Sequence, residues 1–307
     1  MFRALLIPWF KLHAWSIPLP VIEELKIQPF GLLVAIGILV GSRVAEWHGE
    51  RNDVPRQAVA DFLVYTIVIG LISAYFLNAA FYKPDDLLAI IHDPSLLKDK
   101  YLGLSSYGGF LGGVGAALWF RQRKRMSIFV LGDIWCFAFP FAWFFGRMGC
   151  FVVHDHPGLV SDFFLAVDNY NLQGQPRHDL GLYEVIWSAG TVGLFLFLGK
   201  KKRPFGFYMG LLPLLYAPIR FFLDYLRETP AHGGDVRYYG LTPGQYASIL
   251  FTVVGAAVMW RALRGPAVTL MLDGSAPPSD ADTDNAGEKP RPGVKHKPAP
   301  AGKRKRK

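Results

Sequence analysis

Apolar positions in this chain do not alternate with polar ones, nor do they recur every third or fourth residue. They run in long blocks separated by short polar stretches. A bilayer crossing takes about 20 apolar residues in a helix. Two blocks, 62–82 and 102–120, meet that length with no formal charge. Five more, 29–47, 127–151, 180–199, 204–225 and 243–260, meet it with a polar or charged residue near one end. The pattern predicts an all-α integral membrane protein of seven transmembrane helices.

Composition agrees. Hydrophobic residues make up 51% of the 307 residues and charged ones 19%, whereas a soluble domain carries about 25% charge. A soluble enzyme, a disordered chain, a collagen and a small disulfide scaffold are all excluded for most of the length. The net charge of +9 suggests nucleic acid only until it is located. Residues 273–307 hold nine Lys/Arg against five Asp/Glu, and residues 121–125 and 200–203 hold four basic residues each. Basic groups set against apolar blocks are topology signals rather than a nucleic-acid face. Arg51 and Arg56, the two clusters and the tail all follow odd-numbered spans. The positive-inside rule then places the N-terminus outside and the C-terminus in the cytoplasm. Residues 1–28, with Trp9, Phe10, Trp15 and several prolines, read as an interfacial arm on the outer face, too broken for a signal-peptide core. The membrane domain spans 29–262 and carries an outer loop over 152–179. Residues 263–307 read as a disordered basic tail. No internal repeat is visible, and Cys136 and Cys150 read as small apolar filling.

Ionisable residues at membrane depth are costly and mark function. Here they are Arg43, Asp133, Arg147, Glu184, Arg220 and Asp224. At about 1.5 Å per residue, the topology places Arg147 roughly 30 Å, and Arg220 roughly 24 Å, along outward-running helices. Glu184 falls in the first turns of the next inward-running helix, and Tyr107 sits at a similar level. Asp133 lies apart, toward the cytoplasm. Two guanidiniums at headgroup depth suit a phospholipid phosphate, which they grip in bidentate fashion while staying charged. The alternative is that they only pair with Glu184 and Asp224. The adjoining loop carries His154-Asp155-His156-Pro157-Gly158 and Arg177-His178-Asp179. These residues could take up a proton near pH 7, ligate a metal, or merely hydrogen-bond the loop.

Gly146-Arg147-Met148-Gly149-Cys150-Phe151, followed by Asp155 and Gly158, resembles the Gly-Arg-x-Gly-Asn-Phe-x-Asn-x-Glu-x-x-Gly signature of bacterial prolipoprotein diacylglyceryl transferases. Pro29-Phe30-Gly31, Ser106-Tyr107-Gly108-Gly109, Tyr183-Glu184 and Arg220-x-x-x-Asp224-x-x-Arg227 resemble further motifs of that family in the same order, over residues 27–262. The resemblance implies a bacterial plasma (inner) membrane enzyme without a cofactor or metal. It would move a diacylglyceryl group from phosphatidylglycerol to the lipobox cysteine thiol of a prolipoprotein at the outer leaflet, releasing glycerol phosphate. Carried over position by position, it implies catalytic roles for Arg147, Arg220, Tyr107 and Asp155, and roles around the substrate for Gly108, Gly109, Gly146, Gly149, Gly158, Glu184, Asp224 and Arg227. The departures are specific. The family's helix-three histidine is Tyr107, its two signature asparagines are Cys150 and Val153, its glutamate is Asp155, its helix-one aromatic hydroxyl becomes Phe30, and a second glutamate is Asp224. His154 or His156 is the expected substitute for the missing histidine, and His154 is counted among the catalytic residues. The rival readings are a lipid- or partner-binding paralogue without activity and a transferase with another acceptor.

Overall fold

Three helix starts coincide with side chains that satisfy the orphan N–H groups of a first turn. The computed structural model describes residues 6–18, 25–82, 84–95, 106–228 and 237–272. Within these lie eight α-helices: α1 (Pro29–Arg51), α2 (Arg56–Tyr82), α3 (Pro84–His92), α4 (Ser106–Lys124), α5 (Ile128–Val153), α6 (Leu180–Leu198), α7 (Phe207–Leu223) and α8 (Pro243–Arg264). Ser127 Oγ accepts from Phe129 N at the start of α5, and Asp179 Oδ1 from Leu182 N at the start of α6. Thr242 and Gln245 close a reciprocal capping box ahead of α8.

Six helices are long and apolar enough to cross a membrane, all but α3 and α4. The protein is therefore a mostly helical, multi-pass membrane protein. Helix α4 ends on Arg121, Arg123 and Lys124, and residues 102–105 of the expected third span lie outside the described residues. Helix α3, a nine-residue amphipathic segment, had no counterpart among the expected elements.

The helices pack as antiparallel pairs, α1 on α5, α2 on α4 and α7 on α8. Small residues allow the approach. A methyl group on Gly37 would sit 2.7 Å from Ala142 O, and one on Gly210 would sit 2.6 Å from Met259 N. Two apolar clusters fill the interior, one around Phe62, Phe120, Leu131 and Ile134, the other around Phe137, Phe195, Tyr208 and Leu212. Outward faces stay apolar, with Leu39, Ile72, Phe197 and Leu250 exposed, as suits lipid contact.

One end of the bundle is basic. Arg51 reaches Lys200 O, Lys202 pairs with Asp53, and Lys124 with Asp61, so the separate basic clusters share one face. Buried Asp133 lies toward that end. Its Oδ1 accepts from the backbone N of Gly206, Tyr208 and Met209, which makes it the anion capping the start of α7. Arg43 is exposed and pairs with Glu46.

The opposite end carries structure where a plain loop is expected. Strands β4 (Pro157–Val160), β5 (Val167–Asp168) and β6 (Arg177–Asp179) join β1 (Ile7–Pro8) in a four-stranded sheet of order β1-β5-β6-β4. A hairpin, β2 (Trp15–Ile17) with β3 (Leu25–Ile27), completes the strands. Two- to four-residue strands carry no readable alternation, which is why the sequence pattern passes over them. The N-terminal segment thus pairs with the 152–179 region, Ile7 with Val167, and Leu12 N donates to Val152 O. The tail beyond 272 lies outside the described residues.

Candidate active site

Where α5 ends, α6 begins and α7 ends, buried ionisable groups meet. Arg147 comes from the last two turns of α5. Its Nε stands 2.9 Å from Glu184 Oε2, on the second turn of α6. The Tyr216 hydroxyl, from α7, donates to the same carboxylate oxygen at 2.9 Å. The guanidinium lies over the Trp143 ring, 4.3 Å from its centroid. The Glu184 side chain is 1% exposed, so the charge is fully desolvated and Arg147 is its counter-ion. With Nε tied and one face stacked, the guanidinium has little freedom left. Its Nη1 points toward Cys150 Sγ (3.7 Å) and His156 Nε2 (3.4 Å).

A second cluster sits where α7 gives way to the turn Asp224–Leu226. Buried Asp224 binds Arg220 Nη1 at 2.7 Å and Arg227 Nε at 3.2 Å through Oδ1. Its Oδ2 accepts from Thr242 Oγ1. The carboxylate therefore ties two arginines to the first turn of α8. Tyr216 links the clusters: its hydroxyl binds Glu184, and it stands four residues before Arg220 on α7. Arg227 also bridges to Gly158 on β4. A Cβ on Gly158 would sit 2.6 Å from Leu226 O and 2.8 Å from His178 Cβ, so only glycine lets these backbones cross.

The two histidines of the His-Asp-His run have different fates. His154 takes a left-handed conformation (φ 51°, ψ 51°) past the end of α5. Its ring is buried, with Nδ1 2.6 Å from Asp179 Oδ2 and with Trp9, Phe10, Phe151 and Tyr170 around it. His154 thus ties the loop to the cap of α6 and to the N-terminal segment. His156, half-buried, is the histidine that reaches Arg147, and its Nδ1 faces Asp155 Oδ1 at 2.5 Å. Only the tertiary structure separates two residues that are two apart in sequence. His178 pairs with the Tyr183 hydroxyl at 2.6 Å, and burial holds its pKa below the ordinary histidine value.

Cys150, Asp155 and His156 place one possible ligand atom each within 4.8 Å of one another, a donor set zinc can accept. Arg147 Nη1 already lies against two of the three residues, so a cation stands where a metal ion would go. Both cysteines are free and buried.

The remaining expected residues divide. Gly108 packs on α2, 2.7 Å from Ala74 Cα for an added Cβ, and Gly109 faces Ala74 loosely. Gly149 packs on Phe30 of α1, while an added Cβ on Gly146 would meet nothing within 4 Å. Tyr107 lies on α4, but its side chain is outside the described residues. Trp143, Tyr216 and Thr242 had not been singled out. Trp143 and Tyr216 stand four residues before Arg147 and Arg220, so i,i+4 spacing from each buried arginine is the signal that finds them.

Residues 19–261 match the family model for prolipoprotein diacylglyceryl transferase. The chain belongs to that family. Among its relatives is a phosphatidylglycerol–prolipoprotein diacylglyceryl transferase of Pseudomonas paraeruginosa, 32% identical over 79% of this chain and 92% of the relative. One of the same name from Pseudomonas fluorescens is 30% identical over 80% and 93%, and one from Campylobacter hominis is 24% identical over 83% and 94%. The match to this transferase family covers all the helices described above except the last three residues of α8.

Proposed function

We propose that this chain transfers a diacylglyceryl group from phosphatidylglycerol to the lipobox cysteine thiol of a prolipoprotein, at the outer leaflet of a bacterial plasma membrane. The observation that carries the reading is the Arg147 guanidinium. It is buried, held on Nε by Glu184 and on one face by Trp143, and so fixed before any ligand arrives. Breaking the glyceryl C–O bond of phosphatidylglycerol leaves charge on a phosphate ester. A positioned guanidinium stabilises that charge without reorganising. Arg220 is the second clamp, aligned by Asp224, and Arg227 shares the same carboxylate.

In this scheme Glu184 and Asp224 hold the arginines, and Tyr107 orients the head group or thiol. Gly146 leaves room at the surface beside Arg147. The arrangement of seven spans, with α4 as the third, and of a cytoplasmic C-terminus is supported by the gathering of basic residues at one end, opposite the site. A prolipoprotein acceptor is supported by the names of the relatives, and a cysteine thiol suits the step because sulfur, once ionised, attacks an alkyl carbon readily.

The test is mass spectrometry of a lipobox peptide incubated with the purified protein and phosphatidylglycerol. A diacylglyceryl mass increment is expected with the wild type. Arg147→Lys keeps the charge but loses the planar fork and the stacking, and turnover should drop at least tenfold. A wild type that binds phosphatidylglycerol yet leaves the peptide unmodified would refute the assignment.

A further inference from the structure

Taking the thiol acceptor and the Arg147 phosphate clamp proposed above as given, we infer that His156 is the general base of the transfer and that Asp155 positions it. The hydrogen-bond partners decide the tautomer. A guanidinium N–H can only donate, so His156 Nε2, 3.4 Å from Arg147 Nη1, presents its lone pair there. The ring proton is therefore on Nδ1, donated to Asp155 Oδ1. A neutral imidazole, oriented by a carboxylate on one nitrogen, has its basic nitrogen turned toward the arginine that would hold the phosphate. That is the arrangement of a base–orienter pair.

The other titratable groups have other duties. Glu184 and Asp224 are buried and committed to arginines, and His154 is enclosed with Asp179. His178 pairs with Tyr183. His156 alone among the described histidines reaches Arg147 and keeps a partly open side chain, 26% exposed. The groups that face it are Asp155 from the same loop and Arg147 and Cys150 from α5, with Glu184 of α6 behind Arg147. A phosphate oxygen accepting from Arg147 Nη1 would take the N–H now turned to Nε2 and so free the lone pair, with Nε still held by Glu184.

The step balances as follows. The acceptor S–H gives its proton to His156 Nε2, and the sulfur pair forms the S–C bond to the glyceryl carbon. The C–O bond to phosphorus breaks, and its electron pair leaves on the phosphate oxygen of glycerol phosphate. The imidazolium then returns its proton to that phosphate or to water.

The test compares two synthetic lipobox peptides, one with cysteine and one with selenocysteine, whose selenol is already ionised at neutral pH. His156→Gln keeps a hydrogen-bonding side chain but cannot take the proton. On the cysteine peptide its kcat should fall on the order of 10²-fold or more, with KM for phosphatidylglycerol unchanged. On the selenocysteine peptide most of that loss should vanish. Asp155→Asn should show a smaller loss with the same recovery. Equal losses on both peptides, a raised KM alone, or no loss would overturn the assignment. Arg147→Ala is the companion variant: it should lose turnover on both acceptors, because the phosphate clamp serves either nucleophile. Loss there without loss in His156→Gln discards the base and keeps the clamp. Full activity in Arg147→Ala would discard the clamp instead.

Discussion

Replacing His154 should damage the fold more than any other single loop substitution. Its ring and the Asp179 carboxylate are both fully excluded from solvent. In His154→Ala, Asp179 keeps its bond to Leu182 N but its Oδ2 loses the His154 ring. Removing one member of a buried pair costs about 3–5 kcal/mol, because the remaining charge stays desolvated. The space left among Trp9, Phe10, Phe151 and Tyr170 adds to that cost. For a domain of this size each kcal/mol moves the melting temperature by about 2–4 °C, so the shift should be roughly 6–20 °C. Cys136 and Cys150 are free and buried, which allows melting in detergent to be followed with a thiol-reactive dye. His154→Asn tolerates the left-handed backbone and isolates the loss of the ring. If both variants melt within 2 °C of the wild type, the buried His154–Asp179 pair contributes no stability and the reasoning fails.

Two further outcomes follow from the loop. Burial lowers the His178 pKa, so the unfolded state takes up its proton first as pH falls. The neutral ring's contribution is then complete above the ordinary value of about 6.5 and is lost as pH drops through the lower folded value. The wild type should lose more melting temperature between pH 8 and pH 5 than His178→Gln, and equal slopes would contradict this. Gly158→Ala forces a Cβ to 2.6 Å from Leu226 O. Overpacking of this kind costs about 1–3 kcal/mol and should open the bridge to Arg227. A lower melting temperature together with reduced turnover is expected, and an unchanged protein would show that the crossing has slack.

The apolar blocks decided the helices. A run of about 20 apolar residues has one stable form in lipid, because only a helix satisfies its own backbone hydrogen bonds. Placement of basic residues after alternate blocks likewise required no structure, and the structure gathers those residues at one end. The rarity of buried charge made Arg147, Glu184, Arg220 and Asp224 legible, since each must carry a function or a partner to justify its desolvation. Arg220 and Asp224 are i,i+4 neighbours at the end of one helix, whereas the Arg147–Glu184 pair joins two helices. The short strands around 157–179 stayed hidden because two to four residues show no period. Tertiary structure alone decided which histidine is enclosed and which is open. His154 and His156 stand in one polar run with identical chemistry. The left-handed turn at His154 buries its ring against Asp179 and the N-terminal aromatics, and the chain then swings His156 onto Arg147.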